Sequence, residues 1–178
     1  MPSMTRGRLL TAAPASLIFT SGLVAMLQTA ARGASKNDID ILNSAIPLER
    51  AGIKAYQDGA ATGLLSAGVL EVAKGFMSDH MAHRDALIAA VKAAGGVPSE
   101  ATTKLTYPEL KSQADILRFA ESIEKAAASA YLGAFAGLED KNLAKAAVSI
   151  LGVETMHAGI LASALGQPAP YKGFISST

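Results

Sequence analysis

The chain has 178 residues, half of them apolar, with 16 basic and 15 acidic residues and neither Cys nor Trp. That length suffices for one domain with a real core. Without Cys there are no disulfides, thiolate metal sites or Cys nucleophiles, and the near-balanced charge shows no basic stripe, which argues against nucleic acid as a partner.

Residues 1–34 read differently from the rest. Arg6 and Arg8 precede an apolar stretch from Leu9 to Leu27, and small residues follow up to Ala34. Basic start, apolar middle and small-residue end are the order of a secretory signal, so the protein is expected to be periplasmic or otherwise exported. An N-terminal anchor is the alternative, because nineteen mostly apolar residues could just span a bilayer; Pro14 and the interspersed Ser and Thr count against it. Cleavage would leave no stable membrane span. Loss of Arg6, Arg8 and Arg32 from the 16 basic residues leaves 13 against 15 acidic ones, about −2 in net charge.

Residues 35–167 predict four helices, since Ala, Leu, Lys and Glu give up little side-chain freedom in a helix. The first is capped by Asn37 or Asp38 and runs to about Ala61. A turn from Gly63 to Gly68 leads to the second, from about Val69 to Ala94, stopped by Gly95-Gly96-Val97-Pro98. A loop of about 16 residues containing Tyr107-Pro108 precedes the third helix, from about Ser112 to Leu138. After a short turn at Asp140 to Asn142, the fourth runs to about Leu165, and Gly166-Gln167-Pro168 ends it. Residues 168–178 form a tail. Short turns make each helix pair an antiparallel hairpin. A loop of 16 residues reaches roughly 53 Å, more than the roughly 39 Å of a 26-residue helix, so the middle loop can cross the full bundle.

The two hairpins repeat one another. The stretch from Ile41-Leu42 through Glu49 to Ala55-Tyr56 matches Ile116-Leu117 through Glu124 to Ala130-Tyr131, 75 residues on. His80-Met-Ala-His83 with Leu87 matches Glu154-Thr-Met-His157 with Leu161, 74 residues on. All three histidines of the chain fall at these matching positions. Residues three apart share a helix face, so His80 with His83, and Glu154 with His157, can each approach one metal ion. Glu49 and Glu124 lie mid-seam on the first and third helices, in stripes of 3,4 spacing, where an unpaired carboxylate would be costly. Each residue alone would be read as a paired core or surface group. All six together, in register, predict a metal centre. Asp79 points about 100° away and is read as part of a solvated face. Glu121 is assigned a peripheral role. Tyr56 and Tyr131, two turns past their Glu, are read as core packing in preference to hydrogen-bonding partners of the site.

These motifs, spanning residues 37–168, resemble those of bacterial exported ferritin-like domain proteins, related to rubrerythrin. The resemblance implies an all-α ferritin-like four-helix bundle of two hairpins joined by a long crossover. It also implies two iron or manganese ions held by one Glu from each of two helices and Glu-x-x-His from the other two. Glu49, His83, Glu124 and His157 would then be terminal ligands and Glu154 a bridge. His80 departs from the pattern, standing where a bridging Glu is usual, and becomes an extra terminal ligand. An imidazole cannot bridge as a carboxylate does, and the nitrogen-rich set makes zinc or copper more plausible beside iron. The implied function is oxidation or sequestration of metal ions, a ferroxidase-type activity, or removal of peroxide. The alternative is a non-enzymatic metal-binding or stress-protective envelope protein. A homodimer is compatible with the sequence.

Overall fold

The computed structural model describes residues 28–29 and 31–167. Most of the expected signal segment and the whole tail, residues 168–178, lie outside the described residues. Four helices carry the fold: α1 Lys36–Ala61, α2 Ala67–Ala93, α3 Gln113–Gly137 and α4 Lys141–Ala164. Among the described residues there is no strand, so the chain is an all-α four-helix bundle.

The helix ends follow from local chemistry. Ser35, not Asn37 or Asp38, caps α1: its side chain accepts from the Asp38 backbone N–H, and the Asp38 carboxylate accepts from that of Ser35. This reciprocal pairing satisfies two otherwise orphan donors. Asp38 has a further task, because its carboxylate also accepts from the backbone N–H of Glu139 (2.7 Å) and Asp140 (3.3 Å). It thus ties the start of α1 to the α3–α4 turn. The second helix starts two residues earlier than expected, behind Ser66. At the far ends of α2 and α4 the repeat returns. Gly95 and Gly166 adopt positive φ, and the next residue donates back to Val91 and Ala162 respectively, at 2.9 and 3.0 Å. Glycine is the residue for which that left-handed closure carries no steric penalty.

Helices α1 and α2 pack as one hairpin and α3 and α4 as another, with α1 also packed on α3. The backbone N–H of Ser66, at the start of α2, donates to Gln113 at the start of α3 (2.8 Å). The two helices therefore begin at the same end, and residues 94–112 cross the whole bundle, as the loop-length argument allowed. The crossover is strapped along the outer face of α1. Asn43 pairs with the backbone of Val97 and Ser99, Arg50 donates to the carbonyls of Ser99 and Ala101, and Tyr107 donates to Asp58.

The core divides into two apolar clusters. One surrounds Ile46, Leu87, Leu143 and Ile150, and the other Tyr56, Phe76, Leu117 and Leu161. On every helix the six predicted site residues fall between these clusters. Helix α4 is long and apolar enough to cross a membrane, but it packs on α3 and buries Glu154 and His157 in the bundle centre.

Candidate metal centre

All six predicted residues converge at mid-bundle. Glu124, Glu154 and His157 are 0 % exposed, Glu49 and His80 1 %, and His83 6 %. Their donor atoms form two overlapping groups. One comprises Glu49, His80, His83 and Glu154, the other His80, Glu124, Glu154 and His157, and in each the donor atoms lie within 4.8 Å of one another. The first helix of each hairpin supplies one Glu, and the second helix an i, i+3 pair. His80 and Glu154, which match one another in the repeat, belong to both groups.

His80 is committed to the carboxylates on both sides. Its Nδ1 lies 2.7 Å from Glu49 Oε2, and its Nε2 3.4 Å from Glu124 Oε1. The ring has room because of Gly52 on α1: a Cβ there would lie 2.8 Å from the imidazole. The matching residue of the other half is Ala127, and the residue that matches His80 there is Glu154, a smaller side chain. The pairing of His80 with Gly52 is therefore a built asymmetry.

The remaining polar atoms are less well served. His83 Nδ1 approaches Glu154 Oε1 at 3.0 Å and His157 Nδ1 approaches Glu124 Oε2 at 3.4 Å. Neither has hydrogen-bond geometry. Among the described residues five buried side-chain atoms lack a hydrogen-bond partner: His83 Nδ1, His157 Nδ1, Glu124 Oε2 and both oxygens of Glu154. All five belong to the six predicted residues. Buried polar atoms are ordinarily paired, because an unmade hydrogen bond costs about 1–3 kcal/mol. Two imidazoles and two carboxylates with unpartnered atoms, set within two overlapping groups of donors, fit divalent cations.

The surrounding residues revise the sequence reading at three points. Tyr56 and Tyr131 are more than packing: Tyr56 donates to Glu124 and Tyr131 to Glu49, each crossing to the other hairpin. Asp79 is not simply solvated, since its Oδ2 lies 3.2 Å from His157 Nε2. It fixes the ring so that Nδ1 faces the centre, the carboxylate–imidazole arrangement common behind metal ligands. Phe76 completes this support by stacking on His157, with ring centroids 3.9 Å apart. Glu121 stands apart as expected, buried but engaged by Lys125 and Gln167.

The electrostatics are those of a tightly coupled cluster. Burial by itself would raise the Glu49 carboxyl, but the His80 hydrogen bond and the nearby charges of His80 and His83 hold it at about 2. Glu124 is likewise lowered against its burial by His157 and His80. At Glu154 burial wins and the carboxyl is raised. Burial also opposes charge on the imidazoles, yet their carboxylate neighbours raise His80 to about 11, His83 to about 9 and His157 to about 10.

A pH dependence of the metal-free fold follows. Raised histidines stabilise fully below their ordinary value of 6.5, and that contribution fades as pH climbs through about 9 to 11. The lowered Glu49 and Glu124 stabilise fully above 4.5, and their contribution fades as pH falls towards 2. Raised Glu154 stabilises fully below 4.5, and its contribution fades as pH climbs above that value. The melting temperature in chelator should therefore peak between pH 4.5 and 6.5; a maximum above pH 8 would contradict the pairing described.

Comparisons with known proteins agree with this fold. No curated protein matches the chain in sequence. A conserved hypothetical protein of Mycobacterium tuberculosis shares the fold with a TM-score of 0.67 and 24% identity, over 74% of this chain and 98% of that one. A protein of Bacillus anthracis, described as a ferritin-like diiron-carboxylate protein, does so with a TM-score of 0.62 and 21% identity, over 74% of this chain and 99% of that one. The ferritin-like domain family matches residues 37–167, and the chain belongs to that family.

Proposed function

We propose that this ferritin-like protein binds two metal ions, iron first among them, and uses them to oxidise or sequester metal ions or to remove peroxide. The observation that carries the reading is the set of five buried unpartnered atoms, all on residues of the two overlapping donor groups. The description of the Bacillus anthracis relative as a diiron-carboxylate protein supports it. Glu49 and His83 would hold one ion and Glu124 and His157 the other, with Glu154 between them. Bound iron would supply one-electron redox chemistry, which imidazoles and carboxylates lack. The chain's own contribution is orientation. Asp79 and Phe76 fix His157, the two tyrosines hold the terminal carboxylates, and burial excludes water. On the strength of residues 1–34 we place the protein in the periplasm or another exported location.

Metal uptake must displace protons, because the three raised histidines are protonated near neutrality. Ligands bind metal in their deprotonated forms, so affinity should rise with pH. Titration calorimetry in two buffers of different ionisation enthalpy should register the release of about two to three protons per chain. Uptake without proton release would contradict the ligand set.

The function is tested by anaerobic loading with Fe(II), elemental analysis, and mixing with oxygen in a stopped-flow spectrometer. About two irons per chain and a ferric signal faster than in buffer are expected. Less than one iron per chain overturns the reading. A second reading, metal binding without catalysis, is favoured by one observation: His80 pairs with Glu49 and Glu124 where a bridging carboxylate would otherwise stand. Full loading with no accelerated oxidation would select it.

A further inference from the structure

The repeat relates more than the ligands. At one end of the bundle Tyr56, Phe76, Leu117, Ala120, Leu161 and Val69 line a cavity of about 110 Å³. Their repeat partners Tyr131, Ile150, Leu42, Ala45, Leu87 and Leu143 line the equivalent space at the other end, which has closed to about 10 Å³. The smaller void has at most the volume of one water molecule; the larger could hold several, but it offers them apolar walls. The same scaffold thus nearly closes this space in one half and leaves a gap in the other. Interiors rarely keep such voids without a use for them.

The gap also has a defined position. The Tyr56 ring forms one wall, and its hydroxyl donates to Glu124. The Phe76 ring forms another and stacks on His157. The two rings meet edge to face with centroids 6.1 Å apart, one layer of aromatic side chain between the cavity and the metal centre. Val72 and Ile160 are exposed at 43 % and 41 % and belong to the same lining, so the cavity has an apolar rim at the surface.

We propose that this cavity is a binding pocket for a small apolar molecule, no larger than about one aromatic ring, held against the residues that orient Glu124 and His157. An engineered cavity of roughly 150 Å³ lined by similar side chains stays dry and binds benzene or xenon. Hydrated metal ions would be excluded from this route, so the apolar ligand and the metal approach the centre separately. The role beside the centre rests on the metal-binding reading above, but the binding itself does not.

Xenon and benzene are the probes, used on the full chain without metal, so a failure of metal binding leaves the result untouched. Crystals under xenon pressure should show one xenon beside Tyr56 and Phe76 and none at the Tyr131 end. Benzene at about ten times its Kd should raise the melting temperature by roughly 4 °C. Val69→Phe, which fills the cavity from the side away from the ligands, should abolish that shift. Xenon at neither end, equal xenon at both ends, or an undiminished shift in Val69→Phe would overturn the proposal. If Val69→Phe does not fold, the xenon position in the unaltered protein decides.

Discussion

Glu154→Leu is expected to abolish binding of both metal ions while leaving the metal-free protein at least as stable as before. Glu154 is the carboxylate common to both donor groups, so its loss removes a ligand from each. A drop in affinity of more than about 100-fold exceeds what loss of a supporting partner alone gives. The stability half has an independent cause. Both Glu154 oxygens are buried and unpartnered, and burial raises its carboxyl. Replacing an unsatisfied buried polar group by an apolar one of similar size removes its desolvation cost of about 1–3 kcal/mol. By contrast, His83→Ala and His157→Ala should each remove one ion and leave the other. Elemental analysis and thermal melts in chelator read both quantities. If Glu154→Leu instead lowers the metal-free melting temperature by several degrees, the six residues form a structural hydrogen-bonded cluster.

Gly52→Ala is expected to destabilise the fold by about 1–3 kcal/mol, the usual cost of overpacking a core. The added methyl would meet three atoms of the His80 ring at 2.8 to 2.9 Å. That ring is held between Glu49 and Glu124 and cannot swing aside without breaking their contacts. Metal affinity should fall with stability. In a His80→Ala background the ring is gone and the same change should cost little. The two substitutions should therefore be coupled by about 1 kcal/mol or more, read by denaturant unfolding. Additive effects would mean that Gly52 is not there for His80.

Most of the bundle could be read from the sequence because its signals are local or periodic. The 3,4 stripes place the seams, the glycines at 95 and 166 end two helices, and the loop length permits the crossover. The six buried donors were legible for a stronger reason: the 74- and 75-residue repeats put each beside its counterpart. What was missed depends on a neighbouring helix. A helical wheel turns Asp79 off its own seam, yet α4 presents His157 to that flank. Tyr56 and Tyr131 share a face with their own Glu but reach the Glu of the other hairpin. The need for Gly52 is set by a ring on α2, and nothing within α1 announces it. At Ser35 the cap lies before the polar pair that looked suitable, because Asp38 serves as the third residue of a capping box and as the anchor of the α3–α4 turn. The cavity at Tyr56 is a difference in packed volume between matching ends, which no residue pattern expresses.

The central claim is a pair of metal ions between the two hairpins. Anomalous diffraction from crystals of the iron-loaded protein, measured on both sides of the iron absorption edge, tests it most directly. Two iron peaks are predicted, one beside Glu49 and His83 and one beside Glu124 and His157, with Glu154 adjacent to both. No peak among the six residues, with iron at the surface or nowhere, would contradict it.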